Sequence, residues 1–134
     1  MKPVMQTEFY SEDSPEGLKR GNCMQAVIAS LMEFPIEAVP PFHKWFDVKP
    51  QGKWGEIQFE WLLMLGKEMN CLWEQPSDDD ERYFYASGTS PRYDGRIRHA
   101  CIWHKGKIVH DPHPDGTGLV DITSWQWIEN SNGQ

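Results

Sequence analysis

A run of apolar residues near the N-terminus places the strongest constraint on the fold. Residues 23–32 carry apolar side chains on almost every side of a predicted helix. The positions that recur at helical spacing are Cys23, Ala26, Val27, Ser30 and Leu31. Because a helix that is apolar nearly all round must be enclosed by the rest of the protein, we predict a central, buried helix over residues 22–33. Asn22 is its expected N-cap, and Pro35 ends it.

The remainder of the chain predicts one further helix and then a series of strands. The second helix is expected over residues 56–69, and a polar segment at residues 11–17 is expected to be an exposed, mobile loop. The predicted strands cover residues 71–74, 83–86, 97–104, 107–111 and 120–125. Helices followed by strands indicate an α+β protein, and the length of 134 residues indicates one domain over residues 1–134.

Charge and composition exclude several classes of function. Twenty Asp and Glu against thirteen Lys and Arg give a formal net charge of −7, with no basic stretch that could follow a phosphate backbone, so nucleic acid is not an expected partner. No apolar run is long enough to cross a bilayer, and no signal peptide is recognisable. We therefore expect a cytoplasmic protein without membrane contacts, whose three scattered cysteines are free thiols.

Cys23 is the first candidate for chemistry, because it lies at the first turn of the predicted helix. Unpaired backbone N–H groups and the positive end of the helix dipole favour an anion at this position. A thiolate is the nucleophilic form of cysteine, so the location favours a reactive Cys23. His99 and Asp111 are the candidates for a base and for the group that orients it.

The loop between residues 97–104 and 107–111 decides whether these two side chains meet. A two-residue loop over residues 105–106 would send Asp111 to the face opposite His99. A three-residue loop over residues 104–106 puts Gly106 at a left-handed position and sets His99 directly across from Asp111. The Cβ atoms of such opposed residues lie about 4.5–5.5 Å apart. The position of Gly106 favours the three-residue loop.

Three sequence segments together resemble the papain-like cysteine peptidases. The most similar group is the double-glycine-leader, bacteriocin-processing peptidases, with small phage and bacterial proteins that look like them. The segments that match are Gly21-Asn22-Cys23 with residues 26–40, His99-Ala100-Cys101-Ile102, and residues 109–114 around Asp111-Pro112. The resemblance implies a papain-like fold, in which an N-terminal central helix packs on a C-terminal antiparallel sheet.

The resemblance also implies a mechanism and a set of site residues. Cys23, His99 and Asp111 would act as a triad on a peptide, isopeptide or amide bond through an acyl-enzyme, without a cofactor or metal. Hydrolysis and acyl transfer both remain open. The family carries a glutamine about six residues before the cysteine that helps to hold the oxyanion, whereas this chain has Gly17 there. Gln6 is the nearest upstream candidate, beside the Cys23 backbone N–H.

Two other classes of function compete with this interpretation. The first is a metal site, because several histidines, Asp111 and Cys101 lie within residues 99–113, although their spacing fits no zinc pattern. The second is a non-catalytic module that binds a peptide or a partner protein in an aromatic groove on the same frame. An intact set of Cys23, His99 and Asp111 argues against a pure binding module.

Overall fold

The computed structural model describes residues 1–14, 17–19, 21–45 and 53–131. These residues form an α+β fold, as predicted, with two α-helices and a five-stranded antiparallel sheet. The helices are α1 (Cys23–Met32) and α2 (Lys53–Met64). The strands are β1 (Ser11–Ser14), β2 (Gly17–Lys19), β3 (Lys67–Leu72), β4 (Phe84–Thr89), β5 (Arg98–His104), β6 (Lys107–His110) and β7 (Asp121–Asn130). Short 3-10 helices cover Ile36–Ala38, Phe42–Trp45 and Tyr93–Gly95.

The main sheet has the strand order β3-β7-β4-β5-β6, and α1 packs on one of its faces. Buried residues of this interface include Val27, Ile28, Ala29, Tyr85, Ala100 and Ile102. The other face carries a second apolar cluster formed by Phe84, Ala86, Trp103 and Trp125. Both faces of β4 and β5 are therefore covered, which makes these two strands a rigid support for side chains at their ends.

Helix α1 is buried as its apolar pattern predicts, and residues 26–29 have no exposed surface. Its last turn is closed by Glu33 in the left-handed conformation, just before Pro35. Asn22 is the N-cap residue of α1, as predicted, and its carbonyl oxygen accepts a hydrogen bond from Ala26 N–H, but its side chain does not cap the helix. Asn22 Oδ1 instead accepts hydrogen bonds from the N–H groups of Thr7 and Glu8, because the N-terminal segment lies within its reach.

The second helix ends earlier than predicted. A turn at residues 65–66, with Gly66 at φ 72°, stops α2, and the chain from Lys67 continues as β3. Residues 67–69, which were predicted as helix, therefore pair with β7, and the predicted strand at residues 71–74 is the second half of a longer one. Cross-strand partners that are distant in sequence override the helical spacing of this segment.

The N-terminal segment lies along α1. The N–H groups of Lys2 and Val4 donate to the backbone oxygen and the hydroxyl of Ser30, and Gln6 N donates to Pro112 O at 3.0 Å. The loop predicted at residues 11–17 is instead part of a small antiparallel pair formed by β1 and β2, and its residues 15 and 16 lie outside the described chain.

The hairpin between β5 and β6 corrects the predicted register. Its loop has two residues, and both Lys105 and Gly106 have positive φ, 49° and 85°. The predicted three-residue loop is therefore wrong, although Gly106 is left-handed as expected. A bulge then shifts the pairing from Trp103↔Ile108 to Ile102↔His110, leaving Val109 as the extra residue.

The bulge decides where Asp111 points. Because an extra residue in one strand reverses the faces of all residues after it, Asp111 comes to lie on the face of His99 and Cys101. Ligand atoms of these three side chains lie within 4.8 Å of one another. The predicted proximity of His99 and Asp111 thus occurs by a different route from the predicted one.

No described helix combines the length and the apolar character that crossing a bilayer requires.

Candidate functional site

A cavity of about 550 Å³ lies at the start of α1, where the N-terminal segment and the adjoining parts of β4 and β5 form its walls. Three of the four predicted site residues, Gln6, Cys23 and His99, line this cavity. The fourth, Asp111, lies behind the imidazole of His99 and holds it. The structure therefore brings together all four residues, from four separate segments of the chain.

The contact between His99 and Asp111 is short and buried. His99 Nε2 lies 2.7 Å from Asp111 Oδ1, and the two side chains are 3% and 6% exposed. Backbone N–H groups of His113 and Gly118 also donate to the carboxylate, at 2.9 and 2.8 Å. Burial raises the pKa of Asp111, but these three hydrogen bonds outweigh it and hold the pKa at about 2. Asp111 is consequently a carboxylate at any pH at which the protein would work.

The pKa of His99 is raised well above its ordinary value. Burial by itself lowers it, but hydrogen bonding to Asp111 and to the thiols of Cys101 and Cys23 outweighs that effect. Because Asp111 occupies Nε2, the other ring nitrogen, Nδ1, is the atom that can exchange a proton with a thiol. The contact with Asp111 therefore favours the protonated form of the His99 imidazole, whose Nδ1 atom faces the thiols.

Cys23 is the first residue of α1 and is partly exposed to the cavity. The first N–H groups of a helix have no acceptor within it, so they are available to an anion held there. The electrostatic effect of Cys23 on His99 indicates that the thiol and the imidazole are close. Cys23, His99 and Asp111 thus lie in one region of the protein, an arrangement that nucleophilic catalysis would require.

Gln6 reaches the site because the N-terminal segment passes close to Gly21. A Cβ on Gly21 would lie 3.1 Å from Glu8 O and 3.2 Å from Gln6 Nε2, so glycine permits this approach. Gln6 is buried, and its Nε2 donates to Glu8 O at 2.9 Å. A primary amide carries two hydrogens, so the second N–H remains for an acceptor in the cavity. The Gln6 Oε1 atom is buried and accepts no hydrogen bond from any residue that the structure describes.

Cys101 was not predicted as part of the site, although it lies next to His99. It is fully buried, its pKa is raised by burial, and it shares a hydrogen bond with His99. The alternation of side chains along β5 already put Cys101 on the face of His99, which was the available signal. In the described part of the chain, His99, Cys101 and Asp111 form the group able to offer ligands to a metal ion.

Sequence reasoning also missed the remaining walls of the cavity. Described residues that line it include the aromatic side chains Phe9, Tyr10, Phe42, Tyr85 and Tyr93. Three arginines, Arg92, Arg96 and Arg98, line it as well. The arginines precede His99 closely in sequence, but their common direction depends on the turn at Tyr93–Gly95, which sequence patterns do not reveal.

No known protein family, curated protein or solved structure with which we compared the chain matches it.

Proposed function

We propose that this protein is a papain-like, cysteine-dependent hydrolase or acyltransferase that acts on a peptide, isopeptide or amide bond. The observation that supports this most strongly is the buried contact of 2.7 Å between His99 and Asp111, beside Cys23 at the start of α1. Burial of a histidine and a carboxylate costs a fold free energy of desolvation. The need to orient a base toward a thiol would account for the presence of such a pair. The papain-like assignment depends on the sequence segments around Cys23, His99 and Asp111.

In the proposed reaction, Cys23 sulfur attacks the carbonyl carbon of the substrate, and the carbonyl oxygen becomes an oxyanion. The Cys23 N–H and the second N–H of Gln6 are the proposed donors to that oxyanion. The protonated His99 gives its proton to the leaving amine, and a thioester with Cys23 remains. His99 then takes a proton from water or from an acceptor amine, which releases the acyl group. Asp111 keeps Nε2 engaged throughout.

The reaction of the purified protein with p-nitrophenyl acetate tests the proposal without knowledge of the natural substrate. We expect a burst of p-nitrophenolate equal to the amount of protein and an acetyl thioester on Cys23 detectable by mass spectrometry. His99→Gln, which retains a polar side chain of similar volume, should slow the burst roughly 100-fold, because it removes the general base. Cys71→Ser, which alters a thiol outside the cavity, is the matched control and should leave the burst unchanged.

Absence of a thioester on Cys23, or an equal rate in wild type and His99→Gln, would contradict the proposal. In that case the binding module, which holds a peptide in the same aromatic cavity without turning it over, would replace the enzyme. A protein that forms the thioester but releases it only to added amines would be an acyltransferase rather than a hydrolase.

A further inference from the structure

The charge of the cavity is opposite to the charge of the protein. The chain has a formal net charge of −7, with twenty Asp and Glu. Yet none of the described residues that line the cavity is acidic, and three of them are arginines, Arg92, Arg96 and Arg98. A random draw from this composition would favour carboxylates over cations. A cavity lined by arginines and by no described carboxylate, in an acidic protein, is a favourable place for an anionic group of a ligand.

Arg98 is the arginine best placed to act on a ligand of Cys23. It immediately precedes His99 in β5, and its guanidinium donates to the hydroxyls of Ser87 and Thr123. These partners are neutral, so they fix the direction of the guanidinium without neutralising it, and the carboxylate that interacts with it electrostatically is the exposed Asp121. Arg98 forms no ion pair with any residue in the described parts of the chain. By contrast, Arg92 is paired with Asp115, at 2.8 Å.

Tyr85 connects Arg98 with the thiol. Its hydroxyl is buried, which raises its pKa, and both Cys23 and Arg98 act on it electrostatically, with opposite effects. Arg98, Tyr85 and Cys23 all line the same cavity. Asp121, a carboxylate that also senses Arg98, is exposed and does not line the cavity. Arg98 therefore contributes a positive charge to the cavity that also contains Cys23, and the carboxylate nearest to that charge in electrostatic terms lies outside the cavity.

We propose that the cavity selects a peptide that carries a carboxylate close to the scissile carbonyl, and that Arg98 is the main specificity-determining residue. The guanidinium fork matches a carboxylate in geometry, and the aromatic walls suit the rest of a peptide chain. An acidic side chain and a C-terminal carboxylate both offer this chemistry. The inference rests on the proposed function, because it takes Cys23 as the reacting atom.

Two alkylating reagents of nearly equal size measure the charge preference independently of turnover. Iodoacetate carries a carboxylate and iodoacetamide carries a neutral amide, and with either reagent Cys23 sulfur forms a bond to carbon while iodide leaves. We expect the ratio of the iodoacetate rate to the iodoacetamide rate to be higher for Cys23 than for free cysteine. Arg98→Gln should lower that ratio roughly three- to tenfold, the effect of one charge at a partly exposed site.

Arg82→Gln is the matched control, because Arg82 pairs with Asp80 and does not line the cavity. The ratio of the two rates in this variant should equal that of wild type.

Ionic strength gives a test without mutation, since salt at about 1 M shortens the Debye length to about 3 Å and should lower the wild-type ratio. A ratio that does not exceed that of free cysteine, or that Arg98→Gln leaves unchanged, overturns the inference, and in the second case a salt effect would be attributed to the protonated His99 instead. The p-nitrophenyl acetate result is unaffected by that outcome, so the two proposals fail separately.

A competition experiment shows which kind of carboxylate the cavity binds. It measures how strongly each of three N-acetylated tripeptides protects Cys23 against iodoacetamide. The probes are Ac-Ala-Glu-Ala-NH2, with an acidic side chain, Ac-Ala-Gln-Ala-OH, with a free C-terminus, and the neutral Ac-Ala-Gln-Ala-NH2. Stronger protection by the first identifies an acidic side chain as the recognised group, and stronger protection by the second identifies a chain terminus. Equal protection by all three overturns recognition of a carboxylate in a peptide.

Discussion

The pairing of His99 with Asp111 has consequences for stability that can be separated from any activity. Removing one partner of a buried ion pair leaves the other without compensation, which typically costs about 3–5 kcal/mol. Asp111 also accepts hydrogen bonds from two backbone N–H groups, so its carboxylate fixes the segment after β6 as well as the imidazole.

We predict that Asp111→Asn lowers the free energy of unfolding by about 3 kcal/mol, most strongly between about pH 4 and pH 6.5. Asp111 has a pKa of about 2 in the folded protein and about 3.9 when unfolded, so its contribution is lost as the pH falls toward 2. The folded pKa of His99 is raised, so its contribution is complete below about pH 6.5 and declines as the pH rises through that folded value.

Urea unfolding of wild type and variant across this pH range measures the difference. Asp79→Asn is a suitable control, because Asp79 lies in an exposed turn and its charge is not buried. A difference between wild type and Asp111→Asn that is independent of pH would mean that the two side chains do not form a charged pair.

At the level of single helices and strands, sequence patterns predicted the features that depend on residues close together in the chain. The apolar pattern of α1 predicted a buried helix, and residues 97–104 were predicted to form a strand; both are confirmed, the second by β5. The register of β5 and β6 was not predictable in the same way, because the bulge at Val109 forms where the hairpin must fit the rest of the sheet. The side-chain partners of Asn22 were not predictable for a similar reason, since Thr7 and Glu8 are 15 and 14 residues away.

The bulge at Val109 leads to a prediction about the hairpin of β5 and β6. Deletion of Val109, which is 39% exposed, should keep the two-residue turn but move Asp111 to the face opposite His99. We expect the burst with p-nitrophenyl acetate to fall to the level of Asp111→Ala, while circular dichroism retains the strand signal. Val109→Ala shortens the side chain without removing the extra residue and should behave as wild type. A deletion variant with an undiminished burst would show that Asp111 needs no bulge to reach His99, or has no role.

The whole molecule provides the cavity by joining segments that are far apart in sequence. The N-terminal segment brings Gln6, α1 brings Cys23, and β5 with the turn before it brings His99 and the arginines. Residue type and position along single elements were enough to nominate Cys23, His99 and Asp111, whereas Gln6 was nominated from the resemblance to the papain-like peptidases. The electropositive wall could not be predicted, because the net charge of the chain points the other way and the wall exists only after folding.

The most direct test of the central claim, that His99 activates Cys23, compares the three cysteines within one protein. Iodoacetamide at pH 7, followed by mass spectrometry of the peptides, gives a rate for each thiol. We expect Cys23 to react first, ahead of Cys71 and of Cys101, which is fully buried and whose pKa burial raises. His99→Gln should slow Cys23 by about tenfold or more and leave Cys71 unchanged. If Cys23 is the slowest of the three, or reacts equally fast in His99→Gln, the nucleophile and base do not form a pair and the claim is contradicted.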